Sequence, residues 1–180
     1  MKKVLLLLSL IGLVSSCTPD DLDIVDSKNW FSKNIPGKTV VVVGSTLDGG
    51  AVVWINDKMI ILGEGEATGV YYQNSKIYIT GWEYGGQGSV WKINLDGSEL
   101  DHFKLEGKYS EGQRITLHKG DIYVGGWFNN GSCYWKNGKK KDLTTNADSM
   151  SWDIAFDEND NQFNVGYYMK SHSLIPSYWK

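Results

Sequence analysis

Cysteine, proline and long apolar stretches are all scarce in this sequence. Two cysteines in 180 residues are too few for a disulfide framework. Three prolines beside 13% aromatic residues exclude a low-complexity disordered chain. The 21 glycines follow no three-residue period, which excludes collagen. A basic stripe is also missing: 18 Lys plus Arg face 21 Asp plus Glu, a net charge of −3, so nucleic acid is not an expected partner. Beyond residue 16 no apolar run approaches the about 20 residues that a membrane-spanning helix needs. No apolar 3.6-residue period occurs there either, so helical folds and coiled coils are excluded.

What is present begins with the first residues. Lys2 and Lys3 precede an apolar run from Val4 to Val14, and small residues follow in Val14-Ser15-Ser16-Cys17. An apolar region of eleven residues is too short to span a bilayer, and the layout predicts a removable secretion signal over 1–16. The motif resembles a bacterial lipobox. That resemblance implies cleavage before Cys17, acylation of its thiol and new amine (palmitate among the chains), and attachment to the outer membrane on its surface or periplasmic face. Removal of 1–16 takes Lys2 and Lys3 with it and leaves 16 cations against 21 acids. Residues 17–38, with Asp20, Asp21, Asp23 and Asp26, read as an acidic tether. CTPDD also resembles the surface-export signal of Bacteroidetes lipoproteins, with Thr18 where an acid would directly follow the cysteine. Cys133 then has no partner, and within the alternating SCYWK it reads as a buried, small apolar residue.

Residues 39–180 repeat. Four segments align by glycine, TVVVVGS (39–45), KIYITGW (76–82), DIYVGGW (121–127) and QFNVGYY (162–168). Each is followed by a turn and a short strand carrying Trp54, Trp91, Trp135 or Trp179, spaced 37, 44 and 44 residues. A period of about 40 with a Gly-ended strand and a recurrent Trp predicts an all-β propeller of four-stranded antiparallel blades. Grouping from the Gly-ended strand gives repeats over 39–75, 76–120, 121–161 and a partial 162–180, with Asp96-Gly97, Asn137-Gly138 and Lys119-Gly120 as type I′ hairpin turns. The strand count is then four, four, four and two, about three and a half blades. We expect an incomplete propeller, the front part of a longer one. SVWKINLDGSEL (89–100) and IAFDENDNQFNVGYY (154–168) resemble the SBBP-type and kelch-like propeller repeats of bacterial extracytoplasmic proteins, except that Asp160 replaces a usual glycine and Phe163-Asn164 a usual Tyr-Val.

For function, the recurrent Trp54, Trp91, Trp135 and Trp179 read as packing between blades. Trp82, Trp127 and Tyr167 follow the strand-ending glycine. If that strand is innermost, their rings gather at one rim of the central channel, where apolar sugar faces could stack on them. Glu83, Tyr84, Phe128, Asn129 and Tyr168 would then supply neighbouring contacts. No cofactor or metal is implied: Asp157, Asn159 and Asn161 alternate as in a Ca²⁺ loop but lack its central Gly and bidentate Glu. No catalytic constellation is visible. Acids near strand ends with apolar neighbours are Glu64, Glu66 and Glu83. The expectation is a non-enzymatic, membrane-anchored module binding glycan or an envelope protein. The alternatives are a fragment of a polysaccharide-active enzyme and a structural accessory of an envelope complex.

Overall fold

The computed structural model describes residues 39–180, and the expected signal, Cys17 and the tether lie outside them. The described chain holds thirteen strands and no helix. They are β1 (Val41–Ser45), β2 (Gly50–Ile55), β3 (Lys58–Gln73), β4 (Lys76–Glu83), β5 (Gln87–Asn94), β6 (Glu99–Lys104), β7 (Ser110–His118), β8 (Asp121–Phe128), β9 (Gly131–Lys136), β10 (Lys139–Ala147), β11 (Ser149–Phe156), β12 (Gln162–Lys170) and β13 (Ser173–Trp179). Every pairing is antiparallel and joins strands adjacent in sequence. Asn137 (φ 49°) with Gly138 (φ 80°), and Lys119 (φ 50°) with Gly120 (φ 86°), supply the two positive φ values of a type I′ turn. Asp96-Gly97 does not: only Gly97 is left-handed (φ 89°), and the Asp96 carboxylate accepts the N–H and hydroxyl of Ser98.

The strands form four propeller-like blades, without a closed ring of sheet. Blade 1 is β1, β2 and the front half of β3; blade 2 is the rear half of β3 with β4, β5 and β6. Blade 3 is β7 to β10, and blade 4 is β11, β12 and β13. The expected repeat boundaries therefore sit one strand away from the sheets. RITLH and WDIAF open blades 3 and 4 and do not close the blades before them, and MIILG and VYYQN are one continuous strand, β3. Turn residues mark where a strand ends; they do not state whether the next strand stays in the sheet or crosses to its neighbour.

The rear half of β3, β7 and β11 pack against one another in succession and are the innermost strands. Each carries a bulge, with Thr68, Gln113 and Trp152 as the extra residue. These bulges explain the repeating glycine. A side chain at Gly81, Gly126 or Gly166 would put its Cβ 1.9, 2.0 or 1.9 Å from the carbonyl oxygen of Glu66, Glu111 or Met150. The requirement is close backbone approach across the bulge.

Successive blades are joined by a repeated device. The first residue of each inner strand donates its N–H to a turn of the blade before: Gly65 to Gly49, Ser110 to Gly86, Ser149 to Asn130. The hydroxyls of Ser110 and Ser149 in turn accept the N–H groups of Gly88 and Ser132. Two clusters of buried apolar side chains fill the first two joints. Val43, Val53 and Ile55 meet Ile77, Ile79 and Trp91 between blades 1 and 2. Tyr78, Val90 and Leu105 meet Ile115, Val124 and Trp135 between blades 2 and 3. Trp91 and Trp135 have no exposed surface, so burial of each contributes about 4–6 kcal/mol before entropy is counted. Trp54 and Trp179 are half-buried. Cys133 is also fully buried, and desolvation pushes its thiol far above the ordinary cysteine range, so it is an inert apolar filler.

Candidate functional site

Side chains alternate across a strand, and this sorts the residues singled out from sequence. Trp82, Trp127 and Tyr167 point with Tyr78, Thr80, Tyr123 and Gly125 toward the following blade, whereas Glu83, Phe128 and Tyr168 point the other way. The Gly-ended strand of blades 2 to 4 is also second in its blade, not innermost, so the aromatic rings stand one strand back from the inner strands. What faces them there is the bulged end of the inner strand: Trp82 lies opposite Glu66, Trp127 opposite Glu111, Tyr167 opposite Met150.

Glu83 does not join them. Its carboxylate is held on the far face of blade 2 by the Ser89 hydroxyl at 2.6 Å, by His102 Nε2 at 2.7 Å and by the Lys104 ammonium. Burial pushes its pKa up, but hydrogen bonds from Lys104, Ser89 and His102 more than offset this and hold it below the usual glutamate range. His102 also stacks on Trp91, with ring centroids 5.5 Å apart. Tyr84 is exposed, lies over Gly49 of the first blade and has its ring 5.6 Å from that of Trp82. Phe128 covers Gly107 and lies under the Lys140 ammonium, 4.8 Å from its centroid. Asn129 is an exposed turn residue with φ 47°, and Tyr168 is half-buried.

The group that does come together at the bulges was only partly foreseen. Glu111 is half-buried; it accepts a hydrogen bond from Gln113 and, at 3.2 Å, one from Trp127 Nε1. Desolvation is the main cause that raises its pKa above the ordinary glutamate value; Gln113 and Trp127 pull it down, and the nearby Glu66 carboxylate pushes it further up. Arg114 and Asp153 face each other across adjacent inner strands, Nε to Oδ1 3.7 Å. Trp152, the bulge residue of β11, has its ring 6.3 Å from that of Tyr167. Sequence reading missed Glu111 because EGKYSEGQ looks like a connection, whereas β7 begins at Ser110. The signal that could have found it is spacing: Glu66 and Glu111 stand at the same offset before Trp82 and Trp127.

The site therefore offers three carboxylates (Glu66, Glu111 and Asp153, the last facing Arg114), an amide, a guanidinium and flat indole faces along the bulged inner strands. Such a set accepts hydroxyl protons and stacks apolar ligand faces. Among the described residues no cluster of three or more His, Cys, Asp and Glu could hold a metal ion. Asp157 is saturated by the N–H groups of Asn159 and Asn161 and the Asn161 amide, a closed turn.

Among solved structures, the chain is similar to the WD40 β-propeller domain of Doa1, with 16% identity over 77% of this chain and 50% of that one and a TM-score of 0.48. It is also similar to the computationally designed Ika8 protein, with 17% identity over 73% of this chain and 41% of that one and a TM-score of 0.41. The chain thus spans half or less of the length of these two proteins. No family model matches the sequence, and no curated protein matches it.

Proposed function

We propose that this chain is a lipid-anchored cell-envelope module, allied to the SBBP-type and kelch-like propellers of bacterial extracytoplasmic proteins. It binds glycan at the bulged ends of its inner strands without chemical conversion. The observation that carries this reading is Glu111. It is a half-buried carboxylate of raised pKa, oriented by Gln113 and Trp127 and set beside Glu66, an arrangement that packing alone does not call for. Trp82 and Trp127 provide the stacking faces and Glu111 accepts sugar hydroxyls. The lipobox-like Val14-Ser15-Ser16-Cys17 supports attachment to the outer membrane through Cys17, and the acidic residues that follow hold the blades away from the lipid.

Glycan-array binding by the full chain tests the site. Trp127→Ala and Glu111→Gln are each expected to lower affinity at least tenfold (about 1.4 kcal/mol or more). Unchanged binding by both removes the site, retention on a protein partner alone redirects the reading to an envelope protein, and release of cleaved sugar would replace binding with hydrolysis. Attachment is tested separately: metabolic labelling with a palmitate analogue is expected for the natural chain and absent for Cys17→Ser.

A further inference from the structure

Two tyrosines outside the buried clusters stand at the bulged ends of the inner strands. Tyr84 follows β4 and is 54% exposed; Tyr109 precedes β7 and is 58% exposed. Tyr84 comes two residues after Trp82, and Tyr109 two residues before Glu111, so both flank the site described above. Each belongs to a joint with a blade on either side. Tyr84 lies over Gly49 of blade 1, and Tyr109 is bonded to Gly86 of blade 2 and Asn129 of blade 3.

Each ring rests on bare backbone. A Cβ at Gly49 would meet the Tyr84 hydroxyl at 1.8 Å, and one at Gly86 would meet the Tyr109 ring at 2.9 Å. Both glycines belong to turns of the preceding blade and hold positive φ (83° and 75°). These seats let the rings lie against the neighbouring blade while each stays more than half exposed. An aromatic ring that is held and yet open loses little freedom on meeting a ligand, which makes tyrosine an effective anchor in binding surfaces.

The backbone of Tyr109 is a second, separate observation. Its φ is 61°, in the left-handed region that a bulky side chain enters only at a cost. The turn does not call for a tyrosine. At the matching place before β11, Asp148 takes φ 58°, and aspartate suits that region. Tyr109 is pinned on both sides, its N–H donating to the Gly86 carbonyl and its carbonyl accepting the Asn129 N–H. Neither the turn nor a buried contact accounts for an aromatic ring there. The Lys108 ammonium, 5.4 Å from the ring centroid, stands beside it as a donor.

We propose that Tyr84 and Tyr109 extend the site along this rim, and that its ligand is a glycan chain of several sugars and not a single terminal sugar. The proposal rests on the reading that the bulged ends bind glycan. Trp82 and Tyr84 have ring centroids 5.6 Å apart and planes tilted by 52°, so they offer no common plane to one sugar face. Successive units of a chain meet both. Tyr109 gives a further face at the next joint, ahead of Glu111, and the tyrosine hydroxyls and Lys108 bond the sugar hydroxyls between the rings.

Binding of the full chain to an array of size-graded oligosaccharides, from di- to hexasaccharides of β-glucan, xylan, mannan and chitin, decides it. The expected result is affinity that rises about tenfold or more with length in the bound series. Tyr109→Gly is expected to abolish that rise and to leave the disaccharide unaffected. Glycine suits φ 61°, so this variant is expected to melt no lower than the unmutated chain, which separates lost binding from lost folding. Tyr109→Phe keeps the ring and is expected to keep the rise. Equal affinity at all lengths overturns the proposal, and so does a length dependence that survives Tyr109→Gly. If affinity is flat with length but Glu111→Gln still weakens it, the smaller site stands without its extension. A chain that binds no sugar of any length removes both.

Discussion

The joint between blades 2 and 3 and the joint between blades 3 and 4 use the same register positions and different chemistry. The first is apolar: Val90, Ile115, Val124 and Trp135 pack with Tyr78, and Trp135 Nε1 donates to the Glu106 carbonyl at 2.9 Å. The second is polar and aromatic. Asn164 stands where Val124 and Ile79 stand, 2% exposed and with its side-chain oxygen unpartnered, beside the equally orphaned hydroxyl of Ser151. His118 stacks on Phe156 at 4.0 Å, and Asp160 accepts His118 Nε2 at 2.9 Å and the Lys119 ammonium. A buried oxygen without a partner costs about 1–3 kcal/mol, while exposed ion pairs return about 0–1 kcal/mol. The comparison teaches that one backbone plan tolerates two strengths of joint, and that blade 4 is the less firmly held.

The largest test of this difference is Trp135→Ala, expected to destabilise by about 3–5 kcal/mol in urea unfolding. A loss below 1 kcal/mol would erase the contrast. Next, hydrogen exchange is expected to show β12 opening well before β4 and β8, because local opening follows sparse apolar burial. Equal protection of the three strands would place the joints on a par. Third, Asn164→Val gives blade 4 the residue type of its predecessors and is expected to stabilise by about 1 kcal/mol and to slow exchange in β12; destabilisation would mean that Asn164 has a role the repeat does not supply.

Two smaller effects concern charge. Glu83 has a depressed folded-state pKa, so its contribution is fully present above the ordinary glutamate value and is lost as pH falls through the folded value. Glu83→Gln is therefore expected to lower the melting temperature at pH 7 and to matter progressively less below pH ~4.5. Glu111 is the reverse case. Its raised folded-state pKa makes the ionised form a liability, and stability falls as pH rises from the ordinary value through the folded one. Glu111→Gln is expected to melt slightly higher at neutral pH, by about 1–3 °C, with the gain vanishing in acid. A variant that is more stable and yet weaker in glycan binding would separate the site's role from the blade's.

The strands were largely legible because each rests on a local rule: period-2 burial, β-branched and aromatic residues, and positive-φ turn residues at Asn137-Gly138 and Lys119-Gly120. Their grouping into blades was not. Gly81, Gly126 and Gly166 were visible as a repeat, but the cause, a carbonyl on a bulged neighbouring strand, is a contact between segments more than ten residues apart. The site suffered in the same way. Trp82 and Trp127 stood out by their position after glycine, while Glu111 lay in a stretch whose polar composition imitates a loop. Glu83, the most prominent acid by sequence, is consumed by Ser89, His102 and Lys104 across its own sheet.

The long strand β3 ties two blades into one continuous ladder. It leaves the first blade and enters the second within Gly63-Glu64-Gly65, where Gly63 pairs with Ala51 and Gly65 with Glu83. Both glycines hold positive φ (150° and 138°), and a Cβ at Gly65 would lie 2.1 Å from the Trp82 carbonyl oxygen. A single inserted residue here would turn every later side chain of the strand to the wrong face. The connection between β6 and β7, by contrast, is a five-residue loop over 105–109, held by its own bonds: the Leu105 N–H donates to Gly88 and the Glu106 N–H to Gly138. Blades 1 and 2 thus share one unbroken strand, whereas blades 2 and 3 are joined through five residues and blades 3 and 4 through Asp148 alone.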